Sequence, residues 1–196
     1  MPAPVVPAKR ALRAEIRARR TGLPASAREA AAAGIRAQLD EVVAQAGARV
    51  ISCYLSSGTE PGTRAFVAGA VARGIRVLLP SSRPDGTLDW IAAGDEVTTG
   101  LFGLPEPVGI PVADAELAGL DLMVIPAAAV DRTGMRLGWG RGYFDRALAA
   151  LPASPPVYAV VYDDEVLADV PTEPHDRPVT GVVTPTQTIV LQAAAR

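Results

Sequence analysis

Cysteine and histidine are nearly absent from this chain of 196 residues, which contains one of each. The single cysteine, Cys53, excludes a disulfide bond within the chain and any metal site built on several cysteines. Because His175 is the only histidine, the common zinc sites of mixed cysteine and histidine ligands are excluded too. Cys53 stands inside an apolar run and is predicted to be a small core residue. His175 precedes Asp176, and we expect it to make a structural hydrogen bond in a loop rather than to act as an acid or base.

The chain also lacks an excess of charge of either sign and any long apolar segment. Its 19 basic and 21 acidic side chains give a formal net charge of −2, whereas general nucleic-acid binding requires a strong basic excess. The uncharged run over residues 147–162 contains three prolines and is too short to span a bilayer. The first segment, MPAPVVPAKR, has three prolines and no leading positive charge, unlike a secretory signal. We therefore expect a cytoplasmic protein without a nucleic-acid or membrane partner.

Helical and strand-like segments alternate along the chain. The spacing of apolar residues predicts helices over 9–20, from Ser26 to Gly47 and over 61–74. Ser26 and Glu29 form the pattern of a capping box, and Gly47 is a favourable residue for a helix end. The proline that starts the 61–74 segment is predicted to lie in the first turn of its helix. Apolar strands are predicted over residues 49–55, 75–80, 88–92, 120–126, 156–162 and 187–192.

This alternation favours an α/β fold with a mostly parallel sheet. No repeat, low-complexity tail or linker interrupts the chain, so we expect one domain over residues 1–196, with residues 1–8 flexible. The glycine- and proline-rich segment 94–111 is predicted to be irregular. In open α/β sheets, ligands bind beyond the carboxyl ends of the strands. Three loops are therefore expected to meet at one rim, namely SSGTEP, residues 127–145 and VPTEPHDRP.

The most unusual segment is RLGWGRGYFDRAL, from Arg136 to Leu148, in which three glycines alternate with other residues before a helical pattern. Glycine lets backbone N–H groups approach a phosphate closely, and the following helix offers its positive end. Arg136, Arg141 and Arg146 are candidates to neutralise phosphate charge, and Asp145 is a candidate to bind Mg²⁺. The segment matches neither the P-loop nor the dinucleotide-binding pattern. On the pattern alone, a glycine-rich turn with a solvated charged face is an equally good interpretation.

The longer segment VIPAAAVDRTGMRLGWGRGYFDRAL closely resembles the signature of the 5-formyltetrahydrofolate cyclo-ligase family. Further segments resemble the family in order along most of the chain, namely KRALR, YLSSGTEPGT, GLPEP and VPTEPHDRPV. The resemblance implies a three-layer α/β/α fold related to sugar-phosphate isomerases and CoA-transferases. It also implies an enzyme of one-carbon metabolism, a monomer that uses ATP and Mg²⁺ to convert 5-formyltetrahydrofolate to 5,10-methenyltetrahydrofolate, ADP and phosphate. The alternatives are a folate-binding or storage protein with little turnover and a nucleotide-binding regulator.

The resemblance also implies roles for individual residues. Nucleotide binding is implied for Lys9, Arg10, Arg13, Arg136, Leu137, Gly138, Trp139, Gly140, Arg141, Gly142, Tyr143 and Phe144. Folate binding is implied for Leu55, Glu60, Trp139 and Tyr143. Arg141 and Asp145 are implied to be catalytic, and Asp145 and Asp176 to be magnesium ligands.

Several of these residues have plainer structural interpretations. Lys9 and Arg13 are also consistent with a solvated basic helix, and Asp145 with an acidic residue favoured by a helix dipole. Glu60 suits the N–H groups of a pterin, but it is also consistent with a helix cap. The aromatic residues of the glycine segment suit either a flat ligand ring or an ordinary core.

Three positions depart from the family pattern. Phe144 stands where a second tyrosine is common, and one hydroxyl group is therefore missing. Glu165 lies near the position of a common glutamine, which puts polar contacts to the nucleotide or folate in question. Thr184 and Pro185 replace a threonine–glutamate pair. We expect none of these changes to remove a phosphate or metal contact.

Overall fold

Most strands of the protein assemble into one large sheet, as a computed structural model shows for residues 5–173 and 176–191. In this described part, five α-helices span Val5–Gly22 (α1), Ala25–Ala46 (α2), Arg64–Ala72 (α3), Asp114–Leu117 (α4) and Tyr143–Ala150 (α5). Twelve strands of the same residues span Val50–Ser52 (β1), Arg76–Ser82 (β2), Leu88–Ala92 (β3), Val97–Thr99 (β4), Pro105–Pro107 (β5), Leu122–Pro126 (β6), Ala129–Asp131 (β7), Arg136–Leu137 (β8), Val157–Val160 (β9), Val166–Leu167 (β10), Gly181–Val183 (β11) and Thr188–Val190 (β12). The predicted loop residue His175 lies outside the described residues.

The large sheet has the strand order β12-β11-β9-β6-β1-β2-β3. The five central strands, from β11 to β2, are parallel to one another. The edge strands β12 and β3 are antiparallel to their neighbours. The predicted α/β fold with a mostly parallel sheet is therefore confirmed.

Two apolar cores lie on opposite faces of this sheet. On one face, Ile51 of β1 packs in a cluster with Ile35 of α2 and Phe66 of α3. On the other face, Met123 of β6 belongs to a cluster against which Leu148 of α5 packs. Successive strand residues point to opposite faces, and near-continuous apolar strands can therefore supply both cores. The result is the expected three-layer α/β/α arrangement.

Helix α1 packs against a small sheet with the order β10-β7-β8. Ile16 of α1 is fully buried in a cluster with Ala129 of β7 and Leu137 of β8. Because β8 runs directly into the glycine segment, this packing holds α1 beside that segment. The helix begins at Val5, so residues 5–8 are helical rather than flexible, while residues 1–4 lie outside the described part.

Several predicted element boundaries are wrong. Helix α2 begins one residue before Ser26, and no side chain caps its start, so the predicted capping box does not form. Helix α3 begins at Arg64, and Pro61 therefore precedes the helix instead of lying in its first turn. The first strand covers only Val50–Ser52. Gly47 does end α2 as predicted, in a left-handed conformation with φ 60°.

Short strands account for most of what the sequence pattern missed. Strand β11 lies inside the large sheet but has only three residues, too few for an alternating pattern to be visible. The segment 94–111, predicted to be irregular, contains the antiparallel pair β4 and β5 around a short 3₁₀ turn at Leu101–Gly103.

The expected convergence of three loops is confirmed. The SSGTEP loop follows β1, residues 127–145 follow β6, and the VPTEPHDRP segment precedes β11. One residue from each of them, Glu60, Asp145 and Asp176, lines the same cavity at the carboxyl ends of the parallel strands.

Candidate active site

A cavity of about 290 Å³ opens at this rim, and every predicted site residue except Arg10 and Arg146 lines it. Arg10 lies on the exposed side of α1, because it neighbours Lys9 in sequence and adjacent helical residues face different directions. Its lining includes cationic side chains and the glycine segment. It also includes apolar side chains and two further carboxylates, Glu60 and Glu106.

The glycine segment forms one wall of the cavity and is held by α1. Gly140 and Gly142 have φ of 90° and 71°, a left-handed backbone that favours glycine, and α5 begins directly afterwards at Tyr143. Arg13 donates from Nε to the carbonyl oxygen of Gly138 at 2.7 Å. A Cβ atom at Gly140 would lie 3.2 Å from the Arg13 guanidinium carbon, so glycine here lets the arginine pack closely on the loop.

Lys9 is a buried cation with two carboxylate partners. Its Nζ donates to Glu173 at 2.8 Å and to Asp176 at 2.6 Å. Burial by itself lowers the pKa of Lys9, but the hydrogen bonds and charges of Asp176 and Glu173 raise it above its ordinary value. Lys9 is therefore an ammonium ion in the cavity. Sequence reasoning missed Glu173, although it stands in the VPTEPHDRP segment that was expected at this rim.

Arg136 and Asp145 form an ion pair across the start of α5. Arg136 is buried, and Asp145 lies in the first turn of the helix. Burial lowers the pKa of Arg136, and the neighbouring Asp145 and Asp176 oppose that change. The guanidinium still stays charged near neutral pH because its ordinary pKa is so high. Asp145 thus has an arginine partner as well as a favourable place at a helix N-terminus.

Glu60 belongs to the turn after β1 and does not cap α3. Its Oε2 accepts hydrogen bonds from the backbone N–H of Ser57 at 2.9 Å and from the Ser57 hydroxyl at 3.2 Å. Burial raises the pKa of Glu60, and the two bonds from Ser57 partly oppose this increase. The carboxylate is thus oriented by its own turn and lines the cavity.

Glu106 is a second buried carboxylate of the cavity, and sequence reasoning missed it. It lies on β5 and is 6% exposed. Its Oε2 accepts from the Ser81 hydroxyl at 2.8 Å, and its Oε1 accepts from the Ser82 backbone N–H at 3.1 Å. The available signal was the GLPEP segment, where a glutamate stands between two prolines.

The segment 94–111 packs over the glycine segment. Phe102 has a positive φ of 65°, unusual for a bulky residue, and its ring is half-exposed. The Arg141 guanidinium carbon lies 3.3 Å from the centroid of that ring, and Tyr143 meets it edge-on at 6.3 Å. The Tyr143 hydroxyl donates to the carbonyl oxygen of Arg83 at 2.8 Å.

Other residues singled out in the sequence have structural contacts. Arg146 donates to the carbonyl oxygens of Gly86 and Arg141, both at 2.8 Å, and does not line the cavity. Cys53 is fully buried in the core, and burial raises the pKa of its thiol to about 12. This thiol is therefore unreactive near neutral pH, as expected for a core residue.

Asp145 and Asp176 could hold a magnesium ion that is bound to a nucleotide. Among residues 5–173 and 176–191, no group of three or more Asp, Glu, His or Cys side chains forms a metal site by itself. Mg²⁺ bound to a nucleotide needs only one or two carboxylates, because phosphate oxygens and waters supply its other ligands. Both aspartates line the cavity beside the glycine segment, each in contact with a cation, Arg136 or Lys9.

The chain is similar to known proteins over most of its length. The family model described as "5-formyltetrahydrofolate cyclo-ligase family" matches residues 5–185. The chain belongs to the 5-formyltetrahydrofolate cyclo-ligase family. A 5-formyltetrahydrofolate cyclo-ligase of Mycolicibacterium smegmatis is 39% identical over 190 residues, which cover 93% of this chain and 96% of that protein. The protein of the same name from Escherichia coli K12 is 29% identical over 148 residues, 71% of this chain and 80% of that one.

Solved structures show the same fold. A 5,10-methenyltetrahydrofolate synthetase from Aquifex aeolicus superimposes with a TM-score of 0.81 at 22% identity, covering 96% of this chain and 95% of that one. One from Mycoplasma pneumoniae has a TM-score of 0.72 at 20% identity, covering 90% and 98%. The predicted family and enzyme class, a cyclo-ligase, are thus confirmed.

The departures from the cyclo-ligase pattern have different structural settings. Phe144 lines the cavity and also packs on the core beneath it. Glu165 does not line the cavity but is buried in an ion pair with Arg20. Burial raises the pKa of Glu165, and Arg20 opposes this increase. Thr184 is buried and its hydroxyl donates to Asp163 at 2.5 Å, outside the cavity.

In the part of the chain that the structure describes, none of the helices combines the length and the apolar character needed to cross a bilayer.

Proposed function

We propose that this cyclo-ligase uses Mg-ATP to convert 5-formyltetrahydrofolate to 5,10-methenyltetrahydrofolate, with release of ADP and phosphate. One observation carries the proposal: a single cavity is lined by cations and the glycine segment and also by apolar side chains and the carboxylates Glu60 and Glu106. A reaction that transfers a phosphoryl group to a heterocyclic substrate requires both kinds of lining in one site.

The cationic lining suits the phosphates of ATP. Lys9, Arg13, Arg136 and Arg141 line the cavity together with the glycine segment. Cations and preorganised N–H donors stabilise the charge that spreads over a transferring phosphoryl group. Asp145 and Asp176 would hold the magnesium ion, which supplies further neutralisation of phosphate charge when it is bound.

The apolar lining suits a reduced pterin. It includes Leu55, Leu88 and Leu104, which offer apolar contact to a flat ring. Glu60 and Glu106 offer acceptors for the ring N–H groups, and hydrogen bonds from a ligand to an ionised carboxylate are the strong ones. The orientation of both carboxylates is fixed by serine residues, so little ordering cost would remain for binding.

The reaction follows from placing these two substrates together. The formyl oxygen attacks the γ-phosphorus of ATP, and the bond from that phosphorus to the ADP oxygen breaks. N10 of the folate then forms a bond to the activated formyl carbon, phosphate leaves with its bonding electrons, and N10 loses its proton. An amide oxygen leaves poorly and a phosphate leaves well, which explains the need for ATP. In this scheme the cations and the glycine segment act by positioning and by stabilising charge.

The test is an absorbance assay with the purified full chain. Protein, 5-formyltetrahydrofolate, Mg²⁺ and ATP are mixed, and the near-ultraviolet absorbance of methenyltetrahydrofolate is followed, with ATP or Mg²⁺ omitted as controls. A rise that requires both supports the proposal. A flat trace with folate binding still measurable by titration would overturn it in favour of a folate-binding protein with little turnover.

We also propose that the chain is one catalytic domain that works as a monomer on small molecules in the cytoplasm, without a nucleic-acid or membrane partner. The balanced charge of the sequence supports the absence of a nucleic-acid partner. Sedimentation of the active protein tests the monomer, and a stable dimer at assay concentrations would contradict it.

A further inference from the structure

Arg20 and Glu165 form a buried, bidentate ion pair behind the wall of the cavity. Each residue is only 1% exposed. Arg20 Nε donates to Glu165 Oε1 and Arg20 Nη2 donates to Oε2, both at 2.7 Å. Glu165 Oε2 also accepts from the backbone N–H of Tyr162 at 2.8 Å, and Arg20 Nη2 also donates to the carbonyl oxygen of Ala127 at 3.0 Å. The pair therefore ties α1 to the segments that follow β6 and β9.

The guanidinium of Arg20 contacts the glycine segment through Trp139. Its carbon lies 5.0 Å from the centroid of the Trp139 ring, and that of Arg17 lies 5.4 Å from it. Arg20 Nη1 is buried without a hydrogen-bond partner among the described residues. A cation over an indole ring is attracted to its negative face, and the attraction increases where water is excluded. The Trp139 ring thus partly compensates the lost hydration of this guanidinium.

Trp139 is the side chain through which Arg20 can hold the glycine segment in place. It stands between Gly138 and Gly140, which have no side chains of their own to pack. Flexible glycines lose more conformational entropy on ordering than other residues, and a loop already ordered before binding avoids that cost when its ligand arrives. Arg13 holds the backbone of this segment at Gly138, and Arg20 contacts the side chain of the next residue, Trp139.

We propose that Arg20 and Glu165 are positioning residues for the nucleotide-binding loop and act on it through Trp139. The inference rests on the proposed function, because it takes the glycine segment to bind ATP. Glu165 fixes the Nε–Nη2 edge of the guanidinium, and Arg20 is therefore held in one orientation beside the indole. A glutamine, common in the family near this position, has only one acceptor oxygen and would place an N–H₂ group against a donor. The glutamate is therefore matched to the buried arginine of this chain.

The test compares two pairs of substitutions in a Trp90→Phe background, so that Trp139 is the only tryptophan of the full chain. The first variant is Arg20→Met with Glu165→Gln, which leaves no unpaired buried charge. The matched control is Arg76→Met with Glu116→Gln, the same chemical change at an exposed ion pair on the amino end of β2. The measurements are KM for ATP, kcat, and the emission and acrylamide quenching of Trp139 without nucleotide.

For the first variant we expect KM for ATP to rise about 10-fold, the scale of a desolvated cation–π contact, with kcat within about twofold. Trp139 emission should shift to the red and become more quenchable, while the control variant keeps all these values. Unchanged KM and emission in a less stable first variant would overturn the proposal, because the pair would then be only structural.

A second variant covers a failure of the first to fold. Glu165→Gln alone keeps Arg20 but loosens it, and we expect about a threefold rise in KM for ATP with a smaller red shift. An unchanged KM for ATP together with an unchanged Trp139 emission in this variant would also overturn the proposal. Absence of ATP-dependent turnover in the unsubstituted chain would contradict the proposed function instead, and the emission measurement, made without nucleotide, would still test whether the pair fixes Trp139.

Discussion

Replacement of Glu60 by glutamine is predicted to weaken folate binding and to leave ATP binding nearly unchanged. Both hydrogen bonds from Ser57 end on Glu60 Oε2, which holds the group in place and leaves Oε1 to accept from a ligand. A hydrogen bond to a charged group contributes about 1.5–3 kcal/mol, so the glutamine variant should raise the KM for folate by about 10- to 150-fold. The cationic side chains of the cavity are unaltered by this change, and KM for ATP should therefore change little.

The Glu60→Gln substitution should also remove the dependence of KM for folate on pH. Burial raises the pKa of Glu60, so its protonated form persists to a higher pH than in an exposed glutamate. Binding that requires the carboxylate therefore weakens as the pH falls through this raised pKa, and KM for folate rises. In the glutamine variant the group no longer titrates, and KM for folate should stay high and flat across that interval.

The assay is the initial rate of methenyltetrahydrofolate formation, measured across a pH series with each substrate varied in turn. Glu41→Gln is the matched control, because Glu41 is exposed on α2 and contacts only Gln45 of the same helix among the described residues. Equal rises in KM for folate and for ATP would refute the reasoning, since they indicate a general disturbance of the fold. Retention of the acid limb in the pH profile of the Glu60→Gln variant would refute the assignment of that limb to Glu60.

Two further substitutions test the site and the packing. Asp145→Asn should lower kcat by about 100-fold or more, because it removes a proposed magnesium ligand and the charge that pairs with Arg136. A Mg²⁺ titration of kcat checks this prediction. An unchanged rate in the folded variant would remove Asp145 from the mechanism. Gly34→Ala should destabilise the fold by about 1–3 kcal/mol, because its Cβ would lie 2.2 Å from the carbonyl oxygen of Pro185. Thermal unfolding measures this effect against Gly69→Ala, whose Cβ would meet the flexible end of an arginine side chain, and equal stability of the two variants would contradict it.

The fold class and the position of the site could be predicted because both depend on local signals. Apolar runs mark the central strands, and the carboxyl ends of parallel strands meet at one edge of a sheet. The glycine segment also has a local signature, and its residues 136–145 do line the cavity. The capping box at Ser26 failed although its local pattern was present, because α2 begins one residue earlier. Tertiary context decides such boundaries.

Contacts between distant segments could not be predicted. Arg20 and Glu165 are 145 positions apart, and no pattern in one sequence joins them. The departure at Glu165 therefore could not be connected with a basic residue of α1 before the fold was known. Glu106 was missed for a similar reason, since its burial depends on Ser81 and Ser82 at the end of β2.

Helix α1 contains two buried cations, Lys9 and Arg20, whose carboxylate partners lie in different places. We infer different functions for the two cations from these partners. Burying a cation costs free energy unless it has a partner. The partners of Lys9, which are Glu173 and Asp176, line the cavity, so an entering phosphate can reach this ammonium group and compete for it. The partner of Arg20 is Glu165, which does not line the cavity, and a ligand there cannot exchange with it. We therefore propose phosphate binding for Lys9 and positioning for Arg20, although the two residues carry the same charge on the same helix.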